Sequence, residues 1–376
     1  MYPERSNLAD SFHIESHASL LQRTVAVTSP PRTLDAIVVP TIRPNSLRFA
    51  IELAQSAGCQ LVALCTTIEQ AEAVRANHHL PPELTHDIFV TYVTPAIWDT
   101  ELDFLTSTHP ETDIEASCHI DIARKRNVGL LLSRICGWDT IMYLDDDIRG
   151  LTASVVNAAA AQVTHFKAVG FEVDKFPDNS VVCHANRLAG AAQDVFPGGS
   201  ALLVDVLNNG SLFPPIYNED WLFLFDAVQS NSLAVADRLI QLDYLPFRHS
   251  QRAASEEFGD VIAEGLYRLI HERGSLVDAT LDYWKAALSR RSQLIDDIAT
   301  RLLLRDEVEP VIGSALMALA AARKRLDAIT PLACVSLIRA WRSDVSSWRN
   351  RLAGLPVLGD IRHAAKYLGL PDIWAK

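Results

Sequence analysis

Thr140-Ile-Met-Tyr-Leu-Asp-Asp-Asp-Ile148 is the stretch on which the reading of this chain turns. Thr140 to Leu144 form a short apolar run of the kind that fills a strand buried on both faces, and it passes directly into Asp145, Asp146 and Asp147. In open α/β sheets ligands bind at the carboxyl ends of strands. Alternate side chains of an extended segment share a side, so Asp145 and Asp147 are expected to point together and Asp146 elsewhere. Two hard carboxylate oxygens on one side suit Mg2+ or Mn2+, which also take up diphosphate oxygens and water. An acidic surface turn is the alternative, because runs of charge are commonly solvated. The buried strand in front of the triplet weighs against it, since three adjacent carboxylates repel one another and a cation relieves that repulsion.

Working outward, Ile122 to Cys136 carries Val128, Leu131, Leu132 and Ile135 at helical spacing and stops at Gly137. Arg124, Arg126 and Asn127 are expected at the opening of this helix, where free backbone N–H groups can bind an anionic or hydroxyl-rich ligand. Cations there oppose the helix dipole, and a solvated polar first turn is the alternative. Further upstream, 34–40, 60–65 and 87–93 read as strands. Between them lie a helix capped by Asn45 or Ser46 and closed by a left-handed Gly58, and a second helix from Ile68 to Ala76. The alternation predicts a Rossmann-like α/β domain, a parallel sheet with helices on its faces. Downstream, 180–183, 201–204 and 239–245 read as strands, and a helix starts near Glu219.

Residues 1–32 are polar, end in Ser29-Pro30-Pro31 and read as a flexible leader, with the sheet domain at 33–250. Residues 251–376 lack strand patterns, are rich in Ala, Leu, Arg and Glu, and are punctuated by Pro310, Pro331, Pro356 and Pro371. They form a C-terminal helical region, suited to shaping a pocket or to a homo-oligomeric contact.

Composition bounds the function. With 49% hydrophobic and 21% charged residues the chain can build ordinary packed cores. A net charge of −12 argues against nucleic-acid binding, which needs a basic footprint. The six cysteines form no CxxC pair and read as reduced, buried thiols, which suits a cytoplasmic protein. The strongly apolar stretch from Val311 to Ala322 is too short to cross a bilayer, so no transmembrane segment is expected.

Ala123-Arg-Lys-Arg-Asn-Val-Gly129, then an apolar helix, then the strand ending in Asp145 to Asp147, resembles the family-2-type glycosyltransferases of the GT-A fold. The likeness covers roughly residues 34–250 in order. It implies a nucleotide-diphospho-sugar transferase fold and a hexosyltransferase-like enzyme that moves a sugar from a nucleotide-diphosphate donor to a hydroxyl-bearing acceptor with Mn2+ or Mg2+. By the same resemblance Asp145 and Asp146 contact the nucleotide-sugar and Asp145 and Asp147 hold the metal, with His249, after the last strand, as third ligand; an ordinary surface histidine is the alternative for His249. In the loop Pro40-Thr-Ile-Arg43, Thr41 can bond a base edge and Arg43 can offset diphosphate charge, although a plain β-to-α turn would look similar.

Arg124 and Asn127 are the preferred donor contacts at the helix, and Gly198, Gly199 and Ser200 match a glycine-containing loop that lies against the sugar, where a tight turn alone would also explain Pro-Gly-Gly. In Asn218-Glu-Asp-Trp-Leu222, Asp220 is read as the base for the acceptor hydroxyl and Glu219 as its orienting partner. An acidic pair that merely favours the helix dipole is the alternative. The Gln-x-x-Arg-Trp motif of processive relatives is absent after Asp220, which points to single-sugar transfer. Inversion at the anomeric carbon is slightly favoured. Rival readings are a sugar-nucleotide mutase or nucleotidyltransferase, the latter disfavoured because Pro40 to Asn45 has no glycine, and a non-catalytic GT-A scaffold.

Overall fold

The computed structural model describes residues 16–26, 32–77, 87–94, 97, 101–112, 117–174, 176, 179–192, 195–305 and 310–373. Among them are nine strands: β1 (Gln22–Arg23), β2 (Ala36–Thr41), β3 (Gln60–Cys65), β4 (Ile88–Tyr92), β5 (Thr140–Leu144), β6 (Ile148–Arg149), β7 (Ala168–Asp174), β8 (Ala201–Asp205) and β9 (Leu233–Gln241). The helices are α1 (Arg48–Ala57), α2 (Ile68–Asn77), α3 (Ser117–Cys136), α4 (Ala153–Gln162), α5 (Val181–Leu188), α6 (Glu219–Gln229), α7 (Ser250–His271), α8 (Leu281–Leu303), α9 (Pro310–Leu326), α10 (Pro331–Ala353) and α11 (Ile361–Tyr367). The chain is thus the expected α/β protein with a helical C-terminal region.

The sheet runs in the order β1-β9-β7-β8-β5-β2-β3-β4, with β6 paired to β9. β5, β2, β3 and β4 are parallel, the Rossmann-like half. β8 runs antiparallel between β5 and β7, so the sheet is mixed rather than wholly parallel. Alternate strand residues feed two cores. Ile37, Val39, Leu61 and Ala63 pack with α1, α2 and α4 on one face. Ala36, Val38, Val62 and Leu64 pack on the other with α3, α5, α6 and α7 to α11. Burial on both faces is why these strands read as unbroken apolar runs. Each fully buried Val, Leu or Ile contributes about 1.5–3 kcal/mol. α3 lies so close to the sheet that a Cβ at Gly129 would stand 2.9 Å from Val38 Cγ1. That contact is the physical need for glycine after Arg-Lys-Arg-Asn-Val.

Several expectations are corrected. Part of the stretch 1–32 belongs to the fold: Gln22 and Arg23 pair with Ala234 and Val235, and His17 is buried. α1 is preceded by a 3-10 turn, Pro44–Ser46, and its cap is Leu47, with no side-chain cap bond; Gly58 closes it at φ 72° as expected. Residues 180–183 open a helix, not a strand: the Ser180 side chain caps α5 by accepting from Cys183 N, and a short apolar run has no periodicity by which to tell the two apart. The last strand ends at Gln241 rather than 245. Residues 124–127 lie two turns inside α3, which begins at Ser117, so free helix-end amides are not at hand there. The helices after Ser250 share one continuous core with the sheet.

Cys59, Cys65, Cys136, Cys183 and Cys334 are free, buried thiols. Among the described residues no helix is long and apolar enough to cross a membrane.

Candidate active site

The acidic triplet does not continue β5 as an extended segment. Asp145 N donates to Ser200 O at 2.7 Å and Ile148 N to Asp145 O at 3.2 Å, so the chain turns through Asp146 and Asp147 before β6. The three carboxylates of this turn are held by two arginines and a threonine. Asp145 accepts from Arg126 Nη2 at 3.1 and 3.2 Å. Asp146 is buried and accepts from Thr41 Oγ1 at 2.6 Å and from Arg43. Asp147 accepts from Arg43 Nη2 at 3.0 Å through Oδ2, while its Oδ1 is buried with no hydrogen-bond partner among the described residues.

Thr41 and Arg43 therefore clasp the turn to the end of β2. The Thr41 hydroxyl, expected on a base edge, is engaged with Asp146 and also accepts from Arg43 N at 2.9 Å. Arg43 is half-exposed and reaches both Asp146 and Asp147. Lys125, absent from the sequence-based set, is buried and donates to Thr41 O at 3.0 Å. Asn127 is buried too. Its amide donates to Phe213 O at 2.8 Å and accepts from Phe213 N at 2.9 Å, so both its ends hold backbone and neither faces a ligand. Arg124 is partly buried on the same helix.

The second acidic group opens α6. Its cap, Asn218, takes the left-handed conformation at φ 59°, which asparagine tolerates better than most residues. The Asn218 amide donates to Asp260 Oδ1 on α7 at 2.9 Å. Glu219 is buried against Arg126. Burial pushes its carboxyl up, against the pull of Arg126 and with the push of Asp220. Asp220 is partly exposed and accepts from Gly199 N at 2.6 Å. A Cβ on Gly198 would strike Asp220, and one on Gly199 would strike the Arg126 guanidinium. Pro197-Gly-Gly-Ser200 is thus a loop that must come close to both groups.

Arg126 is the residue that joins the two clusters. It is buried, bonds Asp145 on one side and Glu219 on the other, and lies 5.7 Å from the Phe213 ring centroid. Burial opposes its charge, but Asp145 and Glu219 together raise its pKa on balance. These pieces meet in one cleft of about 220 Å3, lined by Arg126, Asp145, Gly198, Ser200, Glu219 and Asp220. Tyr217, Trp221, Phe196 and Arg252 also line it; Trp221 falls inside the Asn218–Leu222 stretch without a role assigned to it there, and no motif marked the other three. Thr41, Arg43, Asn127, Asp146, Asp147 and His249 are not among its lining residues.

Asp145 and Asp147 offer hard oxygen donors, and the unpartnered, buried Oδ1 of Asp147 is an acceptor that a divalent cation would satisfy. The donor set fits such an ion with its other ligands drawn from water or phosphate. The expected third ligand does not join it: His249 stands exposed at the cap of α7, and among the described residues no group of three or more His, Cys, Asp or Glu side chains could hold one metal.

No protein-family model matches the chain, and comparison with the curated proteins found no match. Among solved structures, the chain is similar to a mannosyltransferase from Pyrobaculum calidifontis in complex with GDP-Man and Mn2+, at 16% identity, over 89% of this chain and 89% of that one, with a TM-score of 0.42. It is also similar to a candidate nucleotide-diphospho-sugar transferase from Desulfovibrio desulfuricans G20, at 8% identity, over 65% of this chain and 100% of that one, with a TM-score of 0.34.

Proposed function

We propose that the chain is a glycosyltransferase that moves one sugar from a nucleotide-diphosphate donor to a hydroxyl acceptor with inversion. The observation that carries this reading is that Asp145, at the end of β5, and Asp220, at the start of α6, line one cleft although they stand 75 positions apart in the chain. A strand-end carboxylate beside a helix-start carboxylate is what donor binding and proton removal require of one site.

In this reading the acceptor oxygen attacks the anomeric carbon while the bond from that carbon to the diphosphate oxygen breaks, its electron pair leaving with the nucleotide. The proton of the attacking hydroxyl passes to Asp220, partly exposed in the cleft and fixed by Gly199 N. A sugar hydroxyl is a weak nucleophile, and a base in hydrogen-bond reach is worth about 10²–10⁴-fold. Arg43, half-exposed beside Asp147, offsets the charge of the departing diphosphate. Arg126 keeps Asp145 and Glu219 from repelling Asp220 out of position. A divalent ion held by Asp145 and Asp147 would supply Lewis-acid stabilisation of the leaving diphosphate.

The test is a screen of uridine and guanosine diphosphate sugars for Mn2+- or Mg2+-dependent release of nucleoside diphosphate, with Asp147→Ala as control. Turnover is expected in the parent and a fall of roughly a hundredfold or more in the variant, on the scale of losing a preorganised charge-stabilising group. Unaltered turnover in a folded Asp147→Ala protein would contradict the scheme.

A further inference from the structure

Two arginines line the cleft, and they differ in how far their charge is already satisfied. Arg126 is flanked by two carboxylates. Arg252 has one: its Nε donates to Glu256 Oε1 at 2.6 Å, and no other ion-pair partner engages it among the described residues. Its guanidinium lies 4.6 Å from the Tyr244 ring centroid, and its side chain is 38% exposed, enough to meet a ligand. The side chain is nonetheless held in place. Tyr244 is itself fixed by His184 at 2.9 Å and by Asn179 O at 3.1 Å, and buried Glu256 is pinned by Val181 N at 2.8 Å. Arginine in the first turn of a 22-residue helix also stands against the helix dipole, so helix stability does not explain its position. An arginine anchored through Nε, with its two terminal nitrogens left over, is built to receive a planar or tetrahedral anion.

We propose that Arg252 is the specificity-determining residue of the acceptor subsite, and that the acceptor carries a carboxylate or phosphate beside its reacting hydroxyl. The proposal rests on the transferase reading for the word acceptor, but the anion site itself does not. The same cleft offers Asp220 to the hydroxyl, and Trp221 and Phe196 give the carbon skeleton an aromatic wall. A volume of about 220 Å3 is enough for a small polyol acid or a sugar phosphate. An uncharged acceptor would leave a desolvated guanidinium facing it without a partner, which disfavours neutral competitors. The helical region thereby contributes to recognition through the first turn of α7.

The experiment is calorimetric titration at low ionic strength with glycerol 3-phosphate, D-glycerate and glycerol, three probes that share hydroxyls and differ in charge. Wild type is expected to bind one or both anions at least roughly tenfold more tightly than glycerol, the scale of one charge-assisted contact. The ratio between the two anions tells phosphate from carboxylate. Arg252→Gln combined with Glu256→Gln, which leaves no buried charge unpaired, should remove that preference while keeping the melting temperature, and Arg252→Lys should keep part of it. Asp147→Ala, at the donor end, should still bind the anion. Equal binding of glycerol and the anions, no binding by either anion, or a preference that survives loss of Arg252 overturns the proposal. A preference lost in Asp147→Ala instead would place the anion at the donor end and overturns it equally. A wild type with the Arg252-dependent preference but no transfer with any nucleotide-sugar counts against the transferase reading alone.

Discussion

The two acidic clusters differ in what surrounds them more than in what they are. Asp145 to Asp147 form the turn that leaves β5, and Glu219-Asp220 open α6. The first cluster is bound on all sides by cations from earlier in the chain, Arg43 and Arg126, and by Thr41. Asp147 Oδ1 is buried there with no hydrogen-bond partner among the described residues. The second cluster is split: Glu219 is buried and held by Arg126, while Asp220 keeps contact with solvent through the cleft. Identical side chains thus meet opposite surroundings, paired in one cluster and solvent-facing in the other, and Arg126 is the group that touches both sides.

That contrast can be broken in graded steps. The largest expected effect is on turnover: Asp220→Asn should lower transfer roughly 10²–10⁴-fold, with little change in denaturation midpoint and intact nucleotide binding by calorimetry. A comparable loss of nucleotide binding would move Asp220 to the donor side. Arg126→Met comes next, because it leaves Asp145 and buried Glu219 without their shared cation. It should cost about 3–5 kcal/mol by chemical denaturation, and adding Glu219→Gln should recover part of this. If the double variant is no more stable than the single one, Arg126 does not couple the clusters. Gly199→Ala should cost about 1–3 kcal/mol by overpacking against Arg126, and a normal unfolding midpoint would mean that the loop yields freely.

The smallest effect lies outside both clusters. His184, buried under the Arg252 wall, has its pKa lowered to about 4 by burial, with Arg187 and Arg252 adding to it. The unfolded imidazole takes its proton near 6.5, so between 6.5 and about 4 the unfolded state binds more protons. Stability should fall on acidification through that window and be level above it for this group. The loss is on the order of 1–3 kcal/mol. His184→Gln should flatten the thermal-stability profile there, and an unchanged slope would assign the acid sensitivity to other groups.

The sequence by itself determined the elements whose residues meet the same surroundings at every repeat. Apolar runs at 34–40, 60–65 and 140–144 marked strands buried on both faces, and apolar spacing through Val128 to Ile135 marked the helix between them. The acidic residues were visible because charge at the end of an apolar run is locally unfavourable and demands a partner. What those partners are was decided only by the tertiary structure. Asn127 looked like a ligand contact and holds the backbone of Phe213; Arg126 looked like its neighbour and unites the site. Arg252 and Tyr217 reach the cleft from a helix and a turn whose local sequence says nothing of it. The physical reason is that local pattern records the average polarity a side chain meets. A site depends on distances between groups far apart in the chain, and these are set by how the helices pack on the sheet.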